Sequence, residues 1–317
     1  MDIEYLLFLQ GLRESLGFTE VVAKIFTAMG PLSLLIPAIL FWCFNKRAGL
    51  FLMFVSSFGR LINILVKDTF CVYRPWILDS AVNPGAEAMK KASSYSFPSG
   101  HTQFAAANFG GLAYLYGKKF PVLIIPCVLA ILAVAFSRNF LGVHTPQDVL
   151  VAILEMAVLI FAADKIFNAV ERDQNLAKIF FGAGIAICAI SAIYIFTKSY
   201  PVDYFNGKII VTEIGAKLDS LDSIGMAMGF LIGAVLENKF VNFSTSVDLG
   251  VKIRRVIIGG IVGGAAMVLV YILKYTGLEF AYEFFKGFVP LITITFLAPF
   301  AFNYFETKTR FKFKKIN

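Results

Sequence analysis

Two histidines occur in 317 residues, and both stand among side chains suited to chemistry on an anion. His101 closes the run Pro98-Ser99-Gly100-His101, at the head of the apolar stretch QFAAANFG. His144 lies in SRNFLGVHTPQD, six residues after Arg138 and four before Asp148. A third polar cluster, KDTFCVYRP, carries Lys67 and Arg74. Lys67, Arg74 and Arg138 supply three positive charges, which suits a dianionic phosphate, and guanidinium can bind it through two parallel hydrogen bonds. Ser99 and Gly100 stand where a helix begins, so unpaired backbone N–H groups there could hold an anion, aided by the helix dipole. Glycine also lets an oxyanion approach the backbone closely. His144 with Asp148 fits a nucleophile or base oriented by a carboxylate. His101 then fits a general acid for a leaving alkoxide.

Each residue also has a plainer reading. Thr145-Pro146-Gln147-Asp148 is a good helix start, with Thr as cap, Pro at the first position and Asp at the third; Asp148 could be only that. Ser99 could be an ordinary N-cap. Lys67 and Arg74 could, singly, be interfacial anchors, and a lone histidine beside an apolar segment is usually structural. The coincidence of three such clusters on one face argues against the plain account.

The elements that must position them are apolar. The chain is 58% hydrophobic and 16% charged, with 34 Phe, and its mean hydropathy is +0.75. Soluble domains are nearer a quarter charged. Hydrophobic segments recur near 31–44, 48–67, 99–116, 120–137, 147–163, 178–196, 221–236, 256–272 and 287–304, each near bilayer-spanning length. The expected fold is all-α: a polytopic transmembrane helical bundle of about nine spans. Residues 1–30, interrupted by Glu4, Arg13, Glu14, Glu20 and Lys24, read as amphipathic interfacial segments rather than a signal peptide. Residues 307–317 form a basic tail, and short loops on the same side carry the larger share of Lys and Arg, which places that side in the cytoplasm. The three polar clusters then fall on the opposite face, and residues 197–220 read as a polar outer loop able to cover them.

The formal charge of +8 does not signal nucleic-acid binding. The basic residues punctuate apolar segments instead of forming a patch, as topology and attraction to lipid headgroups require. The four scattered cysteines show neither zinc spacing nor a disulfide framework. Two charges lie inside expected spans, Arg60 seven residues before Lys67 and Glu155 seven after Asp148. Seven residues is about two turns, so each shares a face with its motif residue roughly 10 Å deeper. Intramembrane charges are usually paired, so Arg60 and Glu155 are expected to form a buried structural pair.

Taken in order, Lys67, six residues, Arg74-Pro75; Pro98-Ser99-Gly100-His101; and Ser137-Arg138, five residues, His144, three residues, Asp148 resemble the complete three-part signature of the type-2 phosphatidic-acid phosphatase superfamily. That superfamily includes lipid phosphate phosphatases, glucose-6-phosphatase and vanadium haloperoxidases. The resemblance covers about residues 31–165 and implies a six-helix phosphatase core over 31–168, with additional transmembrane helices over 169–306. It implies attack on phosphorus by His144 held by Asp148, and proton transfer by His101. Lys67, Arg74, Ser99, Gly100 and Arg138 would bind the phosphoryl oxygens, with no metal and no cofactor, and vanadate would inhibit. The expected substrate is a phosphomonoester or pyrophosphate of a lipid. A soluble sugar phosphate, or transfer to an acceptor other than water, are the alternatives. Phe70, Tyr73, Trp76, Tyr95 and Phe97 near the motifs favour a lipid. Expected partners are therefore membrane lipids and the phosphorylated substrate, in a bacterial plasma membrane with the site on its extracytoplasmic face.

Overall fold

The computed structural model describes residues 2–16, 19–84, 89, 94–205 and 207–314, the side chains of Gln174 and of 307–314 excepted. The side chains of the basic tail, and Lys90 and Lys91, therefore lie outside the described residues. Helices α1 (Asp2–Ser15), α2 (Thr19–Leu32) and α3 (Leu35–Cys43) lead into the long α4 (Lys46–Phe70) and the short α5 (Pro75–Leu78). Next come α6 (Gly100–Ala105), a π-helical turn (Ala106–Gly110) and α7 (Gly111–Tyr116), followed by α8 (Ile124–Phe140), α9 (Pro146–Arg172) and α10 (Gln174–Thr197). A small hairpin, β1 (Tyr204–Phe205) and β2 (Lys208–Ile209), precedes α11 (Glu213–Phe240), α12 (Leu249–Leu273), α13 (Glu279–Ile292) and α14 (Ala298–Lys314).

Helix α4 is the axis of the bundle. Asn45 caps its start by accepting from the Ala48 N–H at 3.0 Å. Its end is set by Cys71, whose left-handed backbone (φ 49°) turns the chain while its N–H bonds the Lys67 carbonyl at 2.9 Å. In the span that contains it, 78% of the apolar window is buried, against 11% for α12. Helix α4 is thus enclosed by other helices, and α12 turns most of its surface to lipid. Phe51, Leu52, Met53, Val55, Leu61 and Ile64 of α4 are buried in the main core. Between helices in lipid the gain comes from close packing rather than from excluding water. Small residues serve that packing at the α11–α13 contact, where a Cβ on Gly225 would lie 2.1 Å from the Phe284 carbonyl oxygen.

Among the described residues, six helices are long and apolar enough to cross a membrane, or seven if α2 and α3, bent by 43°, form one broken span. Length and composition alone do not confirm the expected count of nine, and two segments account for most of the difference. The 100–116 rod runs without a break through stretches of six, five and six residues, the middle one a π turn, at the short end of the lengths that span a bilayer. Helix α9 is long enough but carries Asp148, Glu155, Asp164 and Lys165. The segment drawn over 31–44 breaks near Ser33, and its apolar course starts earlier, at Thr19. The expected loop over 197–220 is also shorter, because Thr212 caps α11 by accepting from the Gly215 N–H at 3.0 Å.

The two ends of the bundle differ in chemistry. At one end the charges are tied in pairs: Lys46 with Glu237 at 2.7 Å, Arg255 with Glu306 at 2.7 Å, and Arg47 with Glu171. Arg255 also donates to the Trp42 carbonyl at 2.8 Å, locking α3 to α12. The three polar motifs gather at the other end, where α4 and α8 finish and α6, α9 and α11 begin.

Candidate active site

A cavity of about 110 Å³ at that end is lined by Arg60, Lys67, Arg74, Ser94, Gly100, His101, Arg138, His144 and Asp219. Three separate stretches of sequence converge there because each polar residue stands at a helix terminus. Lys67 occupies the last turn of α4 and Arg138 that of α8, where a cation meets the negative end of the dipole. Gly100 opens α6, behind the N-cap Ser99. The Ser99 side chain turns inward to its own helix, accepting from the Thr102 hydroxyl at 3.0 Å, and does not line the cavity. The Gly100 N–H belongs to the unpaired first turn.

His144 is fixed at both ring nitrogens. Nδ1 lies 3.1 Å from Asp148 Oδ2. A carboxylate only accepts, so Nδ1 carries the hydrogen and Nε2 the lone pair. The Arg74 Nη1 donates to that lone pair at 3.0 Å. Burial, and then the Arg74 charge, hold His144 well below the ordinary histidine range, against the opposing pull of Asp148. Asp148 Oδ2 also accepts from the Ser96 hydroxyl and from the Thr145 N–H at 2.9 Å. The plain helix-cap reading of Asp148 and the orienting one are thus both realised, since one oxygen closes the capping box and holds the imidazole.

The cations are held mainly by backbone carbonyls, which position them without neutralising them. Lys67 Nζ donates to the Tyr95 carbonyl at 3.1 Å. Arg74 donates through Nε to Ser94 and through Nη1 to Val143, at 2.8 and 3.0 Å. Arg138 donates to the Thr27 hydroxyl at 3.3 Å, and its buried Nε has no partner among the described residues. An unpartnered buried guanidinium nitrogen is costly unless a ligand completes it.

The expected pairing of Arg60 with Glu155 is not formed. Arg60 Nη2 lies 3.4 Å from Asp222 and 3.8 Å from Asp219, both on α11. Glu155 accepts instead from Asn63 at 3.4 Å. The seven-residue spacings put each charge beneath its motif residue, as expected, but α11 reaches the α4 face that carries Arg60. Asp219 and Asp222 outcompete Glu155 by proximity. Arg60 is therefore a fourth cation on the cavity wall, beside Gly100, where an added Cβ would stand 3.0 Å from Arg60 Nη1.

Several residues of the site were not singled out from sequence. Asp219 and Asp222 stand in the doublet LDSLDS, a repeat of acids just where an apolar span begins and the one available signal for them. Ser96 lies two residues before Pro98 and had no signal apart from the motif beside it. Thr27 and Gly30 come from α2. Thr27 Oγ1 shares a hydrogen bond of 2.8 Å with Ser137, and Gly30 packs against the His101 backbone. Asn108, in the π turn, donates to Ser33 at 3.0 Å and accepts from Ser56 at 3.0 Å, fastening the rod that carries His101 to α4 and to the α2–α3 break.

Residues 48–172 match the PAP2 superfamily, and residues 221–310 match the transmembrane extension of PAP2 superfamily phosphatases. The chain belongs to the PAP2 superfamily. Every residue lining the phosphate-sized cavity except Asp219 lies in the first match. Asp222 and its helix connect the extension to the site. Among characterised relatives, phosphatidylglycerophosphatase B of Bacillus subtilis (strain 168) is 35% identical over 142 residues, a region covering 42% of this chain and 64% of that protein. The chain thus matches less than two thirds of that relative's length. No solved structure matches.

Proposed function

We propose that the chain is an integral-membrane lipid phosphate phosphatase that works through a phosphohistidine on His144. The observation that carries this reading is the orientation of His144. Its Nδ1 is on Asp148 and its Nε2 lone pair faces the cavity walled by Lys67, Arg74, Arg138 and the Gly100 backbone.

A phosphate dianion entering this cavity meets four cations, one of them, Arg60, facing the Asp219 carboxylate, and Arg74 exchanges the Nε2 lone pair for a phosphoryl oxygen. Nε2 is then free to attack phosphorus, forming the N–P bond as the bond to the leaving oxygen breaks. His101 passes its proton to that oxygen, and the alcohol departs. His101, now neutral, takes a proton from water, whose oxygen attacks phosphorus and returns the electron pair to Nε2. The substrate's two negative charges favour the protonated form of His101 at the start. Lys67, Arg74, Arg138 and the Gly100 N–H face the charge that develops on the phosphoryl oxygens.

The lipid class is supported by the relative's printed name, phosphatidylglycerophosphatase B, and by the aromatic residues Tyr73, Trp76 and Tyr95 on the wall of a larger cavity beside the site. The expected setting is a bacterial plasma membrane, with this end of the bundle outside the cytoplasm. The test is phosphate release by purified protein and by His144→Ala from phosphatidylglycerophosphate, phosphatidic acid, a polyprenyl pyrophosphate and glucose 6-phosphate. Release from lipids that is lost in His144→Ala supports the reading. Release that survives the substitution, or is confined to the sugar phosphate, overturns it. Lipid consumed without free phosphate would point to a transferase.

A further inference from the structure

The phosphate cavity, at about 110 Å³, has room for a phosphoryl group but not for what it is attached to. A second cavity of about 450 Å³ adjoins it, and Arg74 and Ser94 line both. Its other walls include Tyr73 and Trp76 from the turn after α4, and Phe205 and Lys208 from the hairpin. The charged side chains on its wall, among the described residues, are Arg74 and Lys208, both cations. An aromatic and aliphatic chamber with positive charge at two points suits a group that is partly apolar and anionic.

We propose that this second cavity receives the leaving group and that Lys208 binds a second phosphate carried by it. Lys208, outside the three motifs, would then set a preference for lipids that carry a second phosphate beside the scissile one. This rests on the phosphatase reading above and goes further by naming what lies beyond the scissile bond.

The hairpin is anchored, which holds the backbone at Lys208 beside the cavity wall. Lys208 pairs with Phe205 across the two strands. The strand following it is pinned by the Ile210 N–H on the Asp203 carbonyl at 3.0 Å. Asp203 in turn accepts from the Tyr73 hydroxyl at 2.6 Å, tying the hairpin to the residue beside Arg74. Nearby, Tyr200 and Ser220 both donate to Asp68, at 3.2 and 2.6 Å, so the segment is fastened at both ends to the neighbour of Lys67. Tyr95, Tyr200, Val211 and Ala216 bury one another behind it. Asp203 accepts from Tyr73 and Asp219 faces the smaller cavity, and among the described residues no carboxylate lines the wall that carries Lys208.

The test uses the full chain in mixed micelles, with phosphatidylglycerophosphate, a polyprenyl pyrophosphate and phosphatidic acid as substrates. Lys208→Glu and Lys208→Ala are compared with Lys198→Glu, which makes the same charge change at the start of the same connecting segment. The proposal predicts that Lys208→Glu lowers the ratio of kcat/KM for a two-phosphate lipid over phosphatidic acid by roughly tenfold or more, mainly through KM. Lys208→Ala should give a smaller change of the same sign, and Lys198→Glu less than about twofold. An unchanged ratio in Lys208→Glu, or an equal change in Lys198→Glu, overturns the proposal while leaving the phosphatase reading intact. A wild-type protein that hydrolyses none of the three overturns that reading and this proposal with it.

Discussion

Gly30→Ala tests how the site is held. Gly30 lies in α2, outside the three motifs, and an added Cβ there would stand 2.6 Å from the His101 carbonyl oxygen. Ordinary contact begins at 3.4 Å, so α2 and α6 must separate by about 0.8 Å, the difference between those distances. The obstacle is backbone, not a side chain that can rotate away. Overpacking of this kind costs ~1–3 kcal/mol, and α2 cannot retreat freely because Thr27 is bonded to Ser137 and Arg138. The displacement therefore falls on His101 and Gly100, the proposed general acid and the proposed phosphate-binding N–H. A shift near 1 Å at a reacting group can cost ~100-fold in rate. We expect kcat to fall by ~10- to 100-fold with a smaller change in KM, alongside a few degrees' loss of thermal stability in detergent. The assay is steady-state phosphate release on the lipid panel with parallel thermal unfolding, and Gly11→Ala, where an added Cβ meets nothing within 4 Å, is the control. Wild-type kcat in a Gly30→Ala protein of normal stability would refute the claim that α2 sets His101.

Three further outcomes follow from the geometry. Arg60→Leu removes the nearest cation from Asp219 and Asp222 and should lower stability by less than the ~3–5 kcal/mol of a fully buried pair, whereas Arg60→Leu with Asp222→Asn should lose clearly less; equal losses in detergent unfolding would break the coupling. Asp148→Asn removes the acceptor that fixes the imidazole and should lower kcat by ~10³-fold or more, with Ser96→Ala nearer tenfold; similar kcat in Asp148→Asn and wild type would deny the orienting role. Burial and Arg74 lower the His144 pKa, so the proposed nucleophile stays neutral below the ordinary histidine range. The acid limb of kcat/KM should lie there, and Arg74→Gln, by removing a lowering influence, should shift the limb of its residual activity upward. An acid limb at the ordinary histidine value in wild type would contradict that placement.

The chemistry of this chain was more legible than its packing. Lys67, Arg74, His101, Arg138, His144 and Asp148 are identified by type and spacing, and their convergence follows because each lies at a helix end on one face. Arg60 shows the limit of that reasoning. A seven-residue spacing fixes which face of α4 it occupies, but the neighbour across that face depends on how helices later in the chain pack. Asp219 and Asp222 arrive from α11, more than 150 positions away in sequence. The π turn at Ala106–Gly110 was likewise illegible, because its register is set by Asn108 reaching Ser33 and Ser56 in other elements. Ser99 shows the opposite limit, since its position was right but its hydroxyl turned to its own helix. Span counting was the least secure step. Charges in α9 and the shortness of the 100–116 rod blur the distinction between a membrane crossing and a buried core helix.

The central claim is a covalent phosphorus–nitrogen bond at His144. Rapid quenching in alkaline denaturant, where phosphohistidine survives, of protein mixed with lipid labelled in its terminal phosphate would capture that bond. The account predicts label on the wild-type chain that maps to the peptide containing His144, is lost on acid treatment, and is absent from His144→Ala. Lipid turnover with no label on the wild-type chain, or label persisting on His144→Ala, would contradict it.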